Sequence, residues 1–136
     1  MAANLVRLWH LTGDDALRAD ADAILTAAPI AENLFAATGM LSALDLRLGA
    51  IDLVVVAPTR DAARTLLDAA REAWTPNLVV MLVADPGTLP PHHPASGKSA
   101  IAGTASAYVC RGETCSLPVT DPRALAELLR PAPVSG

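Results

Sequence analysis

An α/β fold is the class this sequence predicts: amino-terminal helices packed on a small mixed sheet built from a β-α-β unit, a β-hairpin and a final helix. Three observations predict it. Apolar residues recur at helical spacing through the first 49 residues. Two runs rich in β-branched residues, Ile51–Ala57 and Leu78–Ala84, enclose a helical stretch. Short alternating segments then flank Arg111-Gly112-Glu113-Thr114, and Asp121-Pro122 begins a helix.

The elements follow in order. Leu5, Leu8, Trp9 and Leu11 fall at helical spacing and predict a first helix, stopped by Thr12-Gly13-Asp14. Asp14 caps a second, alanine-rich helix whose Leu17, Ala21, Ile24 and Leu25 share a face, and Pro29 ends it. A third helix is expected from about Asn33 to Leu48, closed by Gly49. Its Leu34, Met40, Leu41, Leu44 and Leu48 lie on more than one face, so something beyond a single packed layer should cover it.

Ile51–Ala57 reads as a strand buried on both faces, followed by a helix from about Arg60 to Trp74 with Leu66, Leu67 and Ala70 inward. Pro76-Asn77 breaks that helix, and Leu78–Ala84 reads as a second buried strand, parallel to the first. Asp85 to Gly103 is expected to be a long polar loop. Ser106–Cys110 and Cys115–Val119 then form a hairpin around a four-residue loop, and the last helix runs to about Leu129. Residues 131–136 are expected to be a tail. The division predicted is a helical segment at 1–49 and a small α/β unit at 51–130.

Composition narrows the function classes. Hydrophobic residues make up 52% of the 136, which marks a globular domain. The net charge is −4 and Lys98 is the sole lysine, a poor footprint for nucleic acid. No apolar run approaches the roughly 18 residues of a membrane span. The amino terminus lacks the pattern of a signal peptide, which points to a cytoplasmic location. There the two cysteines are expected to be reduced.

Cys110 and Cys115 nevertheless flank the hairpin loop, where opposed strand positions bring Cα atoms to about 4.5 Å. A redox-active pair is sterically reasonable, although the spacing is not Cys-x-x-Cys and no helix follows Cys110 to activate it. A metal site would need Cys110, Cys115, His92 and His93, but adjacent histidines in an extended loop point apart and the spacings are wrong for zinc. The Pro91-His92-His93-Pro94 stretch reads as solvated loop, and His10 as the polar edge of the first helix. Ser96-Gly97-Lys98-Ser99 lacks the earlier glycine of a phosphate loop, because His92 stands there. Asp14 is a cap and Asp15, Asp20 and Asp22 fit a solvated face. Ser42, Ser96 and Ser116 have no nucleophile context. No cofactor and no catalytic residue is expected from these patterns.

Ala107-Tyr108-Val109-Cys110 through Cys115, with Pro118 and Thr120-Asp121-Pro122 leading to Leu125, resembles the carboxyl end of the long thioredoxin-domain proteins related to spermatogenesis-associated thioredoxin-like proteins. Upstream, Leu11-Thr12-Gly13-Asp14, Leu41-Ser42-Ala43-Leu44-Asp45 and Trp74-Thr75-Pro76-Asn77 are similar to further parts of the same family. The resemblance implies that a thioredoxin-like domain and an (α/α) toroid similar to N-acylglucosamine 2-epimerases precede a segment like this one. It implies family-motif positions at Tyr108, Cys110, Cys115, Pro118 and Asp121. Read this way, the chain is a carboxyl-terminal piece whose partners are the missing toroid and thioredoxin-like portions, or copies of itself. Its expected role is a noncatalytic accessory or assembly domain. Thiol redox chemistry at Cys110 and Cys115 is the first alternative, and a share in a carbohydrate-binding or isomerising enzyme is the second.

Overall fold

The computed structural model describes residues 1–130, and the expected tail lies outside them. Three helices, α1 (Ala2–Thr12), α2 (Asp15–Ala27) and α3 (Thr38–Gly49), precede β1 (Ile51–Val56), α4 (Arg64–Glu72) and β2 (Leu78–Val83). The chain then runs through a 3-10 turn at Pro86–Thr88 to β3 (Ser106–Arg111), β4 (Thr114–Cys115) and α5 (Pro122–Leu129). The α/β class is the observed one: five α-helices and a four-stranded mixed sheet of order β2-β1-β3-β4. β1 pairs parallel with β2 and antiparallel with β3.

Each face of the sheet has its own cover. Leu53 and Val55 of β1, with Ala107 and Val109 of β3, pack under Leu66 and Ala70 of α4 and Leu125 and Leu129 of α5. The opposite face is covered in two parts. Val79 of β2 lies under Val6, Ala21 and Leu46, one from each of the first three helices. Val54, Val56 and Met81 lie under Ala95, from the segment between β2 and β3.

Local chemistry places the helix starts. The Asp14 carboxylate accepts from Ala16 N–H at 2.9 Å, and Asp121 accepts from Arg123 and Ala124 N–H groups. Two guanidinium groups lie over the Trp9 ring, Arg18 at 5.3 Å and Arg47 at 4.9 Å from its centroid. Arg47 also binds Asp22 through both carboxylate oxygens, at 2.7 and 3.0 Å, tying α3 to α2. That hydrogen bonding holds the Asp22 carboxyl below the usual carboxylate range, so Asp22 is more than a solvated charge.

On α1 the buried residues are Ala2 and Val6, which meet Leu25 and Ala21 of α2, Ala43 and Leu46 of α3, and Val79 of β2, while Leu8 and Leu11 are exposed. Several expectations are corrected. The third helix begins at Thr38 rather than near Asn33. The Asn33 side chain accepts from Ala36 N–H at 3.1 Å and closes a separate turn. α4 likewise starts at Arg64, after a turn in which Thr59 Oγ1 accepts from Ala62 N–H.

β2 is not buried on both faces. It lies at the edge of the sheet, and α4 and α5 sit over β1 and β3. Val79 and Met81 are covered, whereas Val80 and Leu82 line an open cleft of about 330 Å³ beside Arg60, Leu67 and Arg71. The segment from Asp85 to Gly103 is packed rather than simply solvated: Ala95 is fully buried, and Tyr108 and Ser106 tether the segment to β3. The hairpin turn has two residues, Gly112 and Glu113, because Arg111 and Thr114 are themselves paired.

Candidate functional site

Pairing in an antiparallel ladder puts opposed residues on the same face. Asp52 of β1 is opposite Cys110 of β3, and Cys110 is opposite Cys115 of β4. One row of the sheet therefore carries a carboxylate, a cysteine and a second cysteine in succession. This row lies on the face that holds Val54 and Tyr108, the face covered by the first helices and the long segment.

Cys110 and Cys115 are joined as a disulfide, with Cα atoms 3.9 Å apart. The expectation of two reduced thiols is corrected on this point. The register places the pair directly across the hairpin, and the short turn leaves them no room to separate. Their surroundings differ: Cys110 is buried and Cys115 is exposed. The Cys115 end of the bond is therefore the one turned toward solvent.

Beside Cys110, His10 at the end of α1 reaches down to Asp52 of β1. Nδ1 is 3.0 Å from Asp52 Oδ2, and both side chains are only 13% exposed. A carboxylate oxygen can only accept, so Nδ1 carries the hydrogen. The remaining polar atoms of this pair, His10 Nε2 and Asp52 Oδ1, are buried without a hydrogen-bond partner. Buried polar atoms in that state are uncommon and costly. His10 is therefore not the polar edge of a helix but half of a buried pair.

Lys98 closes the site from the long segment. Its ammonium donates to Pro94 O and lies 5.9 Å from the centre of the Tyr108 ring. Burial pushes the Lys98 ammonium below its ordinary value, and the nearby charge of Asp52 works in the opposite direction. The Tyr108 hydroxyl donates to Ser99 O at 2.7 Å and accepts from Ser99 N–H at 3.1 Å, so it fastens the segment over the sheet.

Pro118 and Asp121 have structural duties in the geometry. Pro118 interrupts the hairpin where it has no N–H to donate, and Ala107 and Val119 resume the ladder beyond it with bonds of 2.8 and 2.9 Å. Ser116 Oγ bridges the gap by accepting from Val109 N–H. Asp121 caps α5. His92 is exposed, and His93 Nδ1 accepts from Ala95 N–H within its own turn. Among the described residues no group of three or more His, Cys, Asp or Glu is placed to hold a metal ion.

Asp52 is the functional candidate that pattern reading overlooked. A signal existed: it is the one charged residue in Ile51-Asp52-Leu53-Val54-Val55-Val56, and a charge in a buried run needs a partner. Elsewhere, the cleft lined by Arg60, Asp61, Arg64, Leu67, Asp68 and Arg71 is a surface of ion pairs, with Arg64 bound to Asp61 and Arg71 to Asp68. No described helix is long and apolar enough to cross a membrane. No protein-family model, curated protein or solved structure matches this chain.

Proposed function

We propose that this chain acts as a noncatalytic accessory domain that closes the end of an (α/α) toroid in a longer thioredoxin-domain protein and helps assemble it. The observation that carries this reading is the uncovered face of α3. Ala43 and Leu46 are buried on one side of that helix, while Leu41 and Leu48, seven residues apart on the other side, face solvent. Leu48 is 77% exposed, and Phe35, in the turn before the helix, is 93% exposed. Large apolar groups left in water in this way favour association with a further surface. The resemblance of residues 107–125 to the family's carboxyl end supports a toroid as that surface.

Sedimentation velocity tests the assembly role. The chain is expected to self-associate with rising concentration, and Leu48→Glu should reduce that association. A sharp monomer at high concentration would remove the proposal.

A second reading is favoured by the placement of the cysteines: thiol–disulfide exchange at Cys110 and Cys115, with the exposed Cys115 as the sulfur that an external thiolate attacks. Titration of thiols before and after mild reduction checks it. Two thiols should appear on reduction and disappear on reoxidation. A bond that resists a small dithiol under native conditions would sink this reading.

A further inference from the structure

Asp52 Oδ1 is a buried acceptor with no donor, and the residue opposite it in the sheet is Cys110. A disulfide sulfur carries no hydrogen, so the oxidised pair cannot satisfy that oxygen. A reduced Cys110 carries an S–H, the donor the oxygen lacks. Cβ atoms at opposed positions of an antiparallel pair stand about 5 Å apart, which brings the carboxylate within reach of the cysteine sulfur. The other oxygen of the same carboxylate is already bound by His10 Nδ1 at 3.0 Å.

We infer that Asp52, held by His10, delivers and removes the proton of Cys110 when the Cys110–Cys115 disulfide exchanges with an external dithiol. This rests on the thiol-exchange reading. In the first step a thiolate of the dithiol attacks Cys115 Sγ, the Cys110–Cys115 bond breaks, and its electron pair leaves on Cys110 as a thiolate. A buried thiolate next to a carboxylate is unfavourable. The His10–Asp52 pair, when it holds one proton beyond Nδ1–H and a carboxylate, passes that proton through Oδ1 to Cys110. It is then reloaded from water. In the second step the other thiol of the dithiol attacks the mixed disulfide and releases Cys115, which is exposed and takes its proton from water. Two thiols of the reductant become a disulfide, and two protein thiols are formed.

The groups facing this corner come from every neighbouring element: His10 from α1, Lys98 from the long segment and Tyr108 from β3. The Lys98 ammonium donates to Pro94 O and the Tyr108 hydroxyl is engaged by Ser99, which leaves His10 as the group hydrogen-bonded to the carboxylate.

The test is the rate of reduction of the full chain by dithiothreitol between pH 5 and 8, expressed per dithiothreitol thiolate. In the wild type this constant should rise at least about tenfold from pH 8 to pH 5, a fraction of the roughly hundredfold or more that a placed proton donor typically contributes. Asp52→Asn keeps an acceptor for His10 but cannot carry the proton, so its profile should be flat and about tenfold slower at pH 5. His10→Asn should flatten it as well, and serves if Asp52→Asn does not fold. A variant profile parallel to the wild type overturns the proton transfer while leaving exchange intact. A wild-type disulfide that the dithiol does not reduce at any pH overturns both.

Discussion

Replacing Leu53 by alanine is expected to lower the unfolding free energy by about 3 kcal/mol, within the range for truncating a fully buried leucine. Leu53 is inaccessible to solvent in the middle of β1, a strand flanked by β2 and β3 and roofed by α4 and α5. The helices cannot collapse into the space, because each also packs against β3 or its neighbour helix, so the cavity persists. For a domain whose whole stability is roughly 5–15 kcal/mol, this is a large fraction of the margin. The informative control is Leu82→Ala in β2. Both strands read as buried in the sequence, yet Leu82 is 40% exposed at the sheet edge, and its truncation should cost less than about 1 kcal/mol. Urea unfolding of the two variants decides the matter. Equal losses would mean that β2 is covered on both faces after all and that the strand order is wrong.

Gly13→Ala is expected to destabilise by about 3 kcal/mol, more than a glycine substitution in a turn ordinarily does. Two effects combine. Gly13 ends α1 with φ +72°, a left-handed conformation that costs an L-residue roughly 1–2 kcal/mol. A Cβ at this position would also stand 2.5 Å from the backbone oxygen of His92 and 3.3 Å from Pro94 Cδ. Backbone cannot rotate out of the way as the end of a lysine can, so the α1–α2 turn or the long segment must shift. Gly97 isolates the conformational part: its φ is +74° with nothing within 4 Å of a Cβ. Gly97→Ala should therefore cost only about 1 kcal/mol. Thermal or urea unfolding of both variants reads the difference. If the two losses agree, the turn after α1 does not pack against His92. Because that contact also positions the segment bearing Lys98, Gly13→Ala should loosen the cover over Asp52.

The candidate site was half legible. Cys110 and Cys115 could be placed opposite each other from the hairpin pattern alone, since a short turn between alternating segments sets the pairing. Their bonding, and the difference between a buried and an exposed sulfur, depended on what covers each side of the hairpin. His10 and Asp52 were not legible as a pair. They are 42 residues apart in the chain, and only the descent of α1 onto β1 brings them to hydrogen-bonding distance. A charge inside an apolar run announces that a partner exists but does not name it. The spacing of Leu5, Leu8, Trp9 and Leu11 marked α1 as a helix without saying which face it buries, and that face is chosen by its neighbours: Ala2 and Val6 are the residues that meet α2, α3 and β2.

What the sequence determined by itself was local and periodic. The β-α-β order, the hairpin, the caps at Asp14 and Asp121 and the stop at Gly13 all follow from backbone chemistry acting over a few residues. Only the tertiary structure decided which strand lies at the edge, which helix faces are covered, and that His10 meets Asp52 beside Cys110. Those are choices among surfaces of similar hydrophobicity. Burial is non-directional, so the choice is made by how the volumes and charges of distant segments fit together.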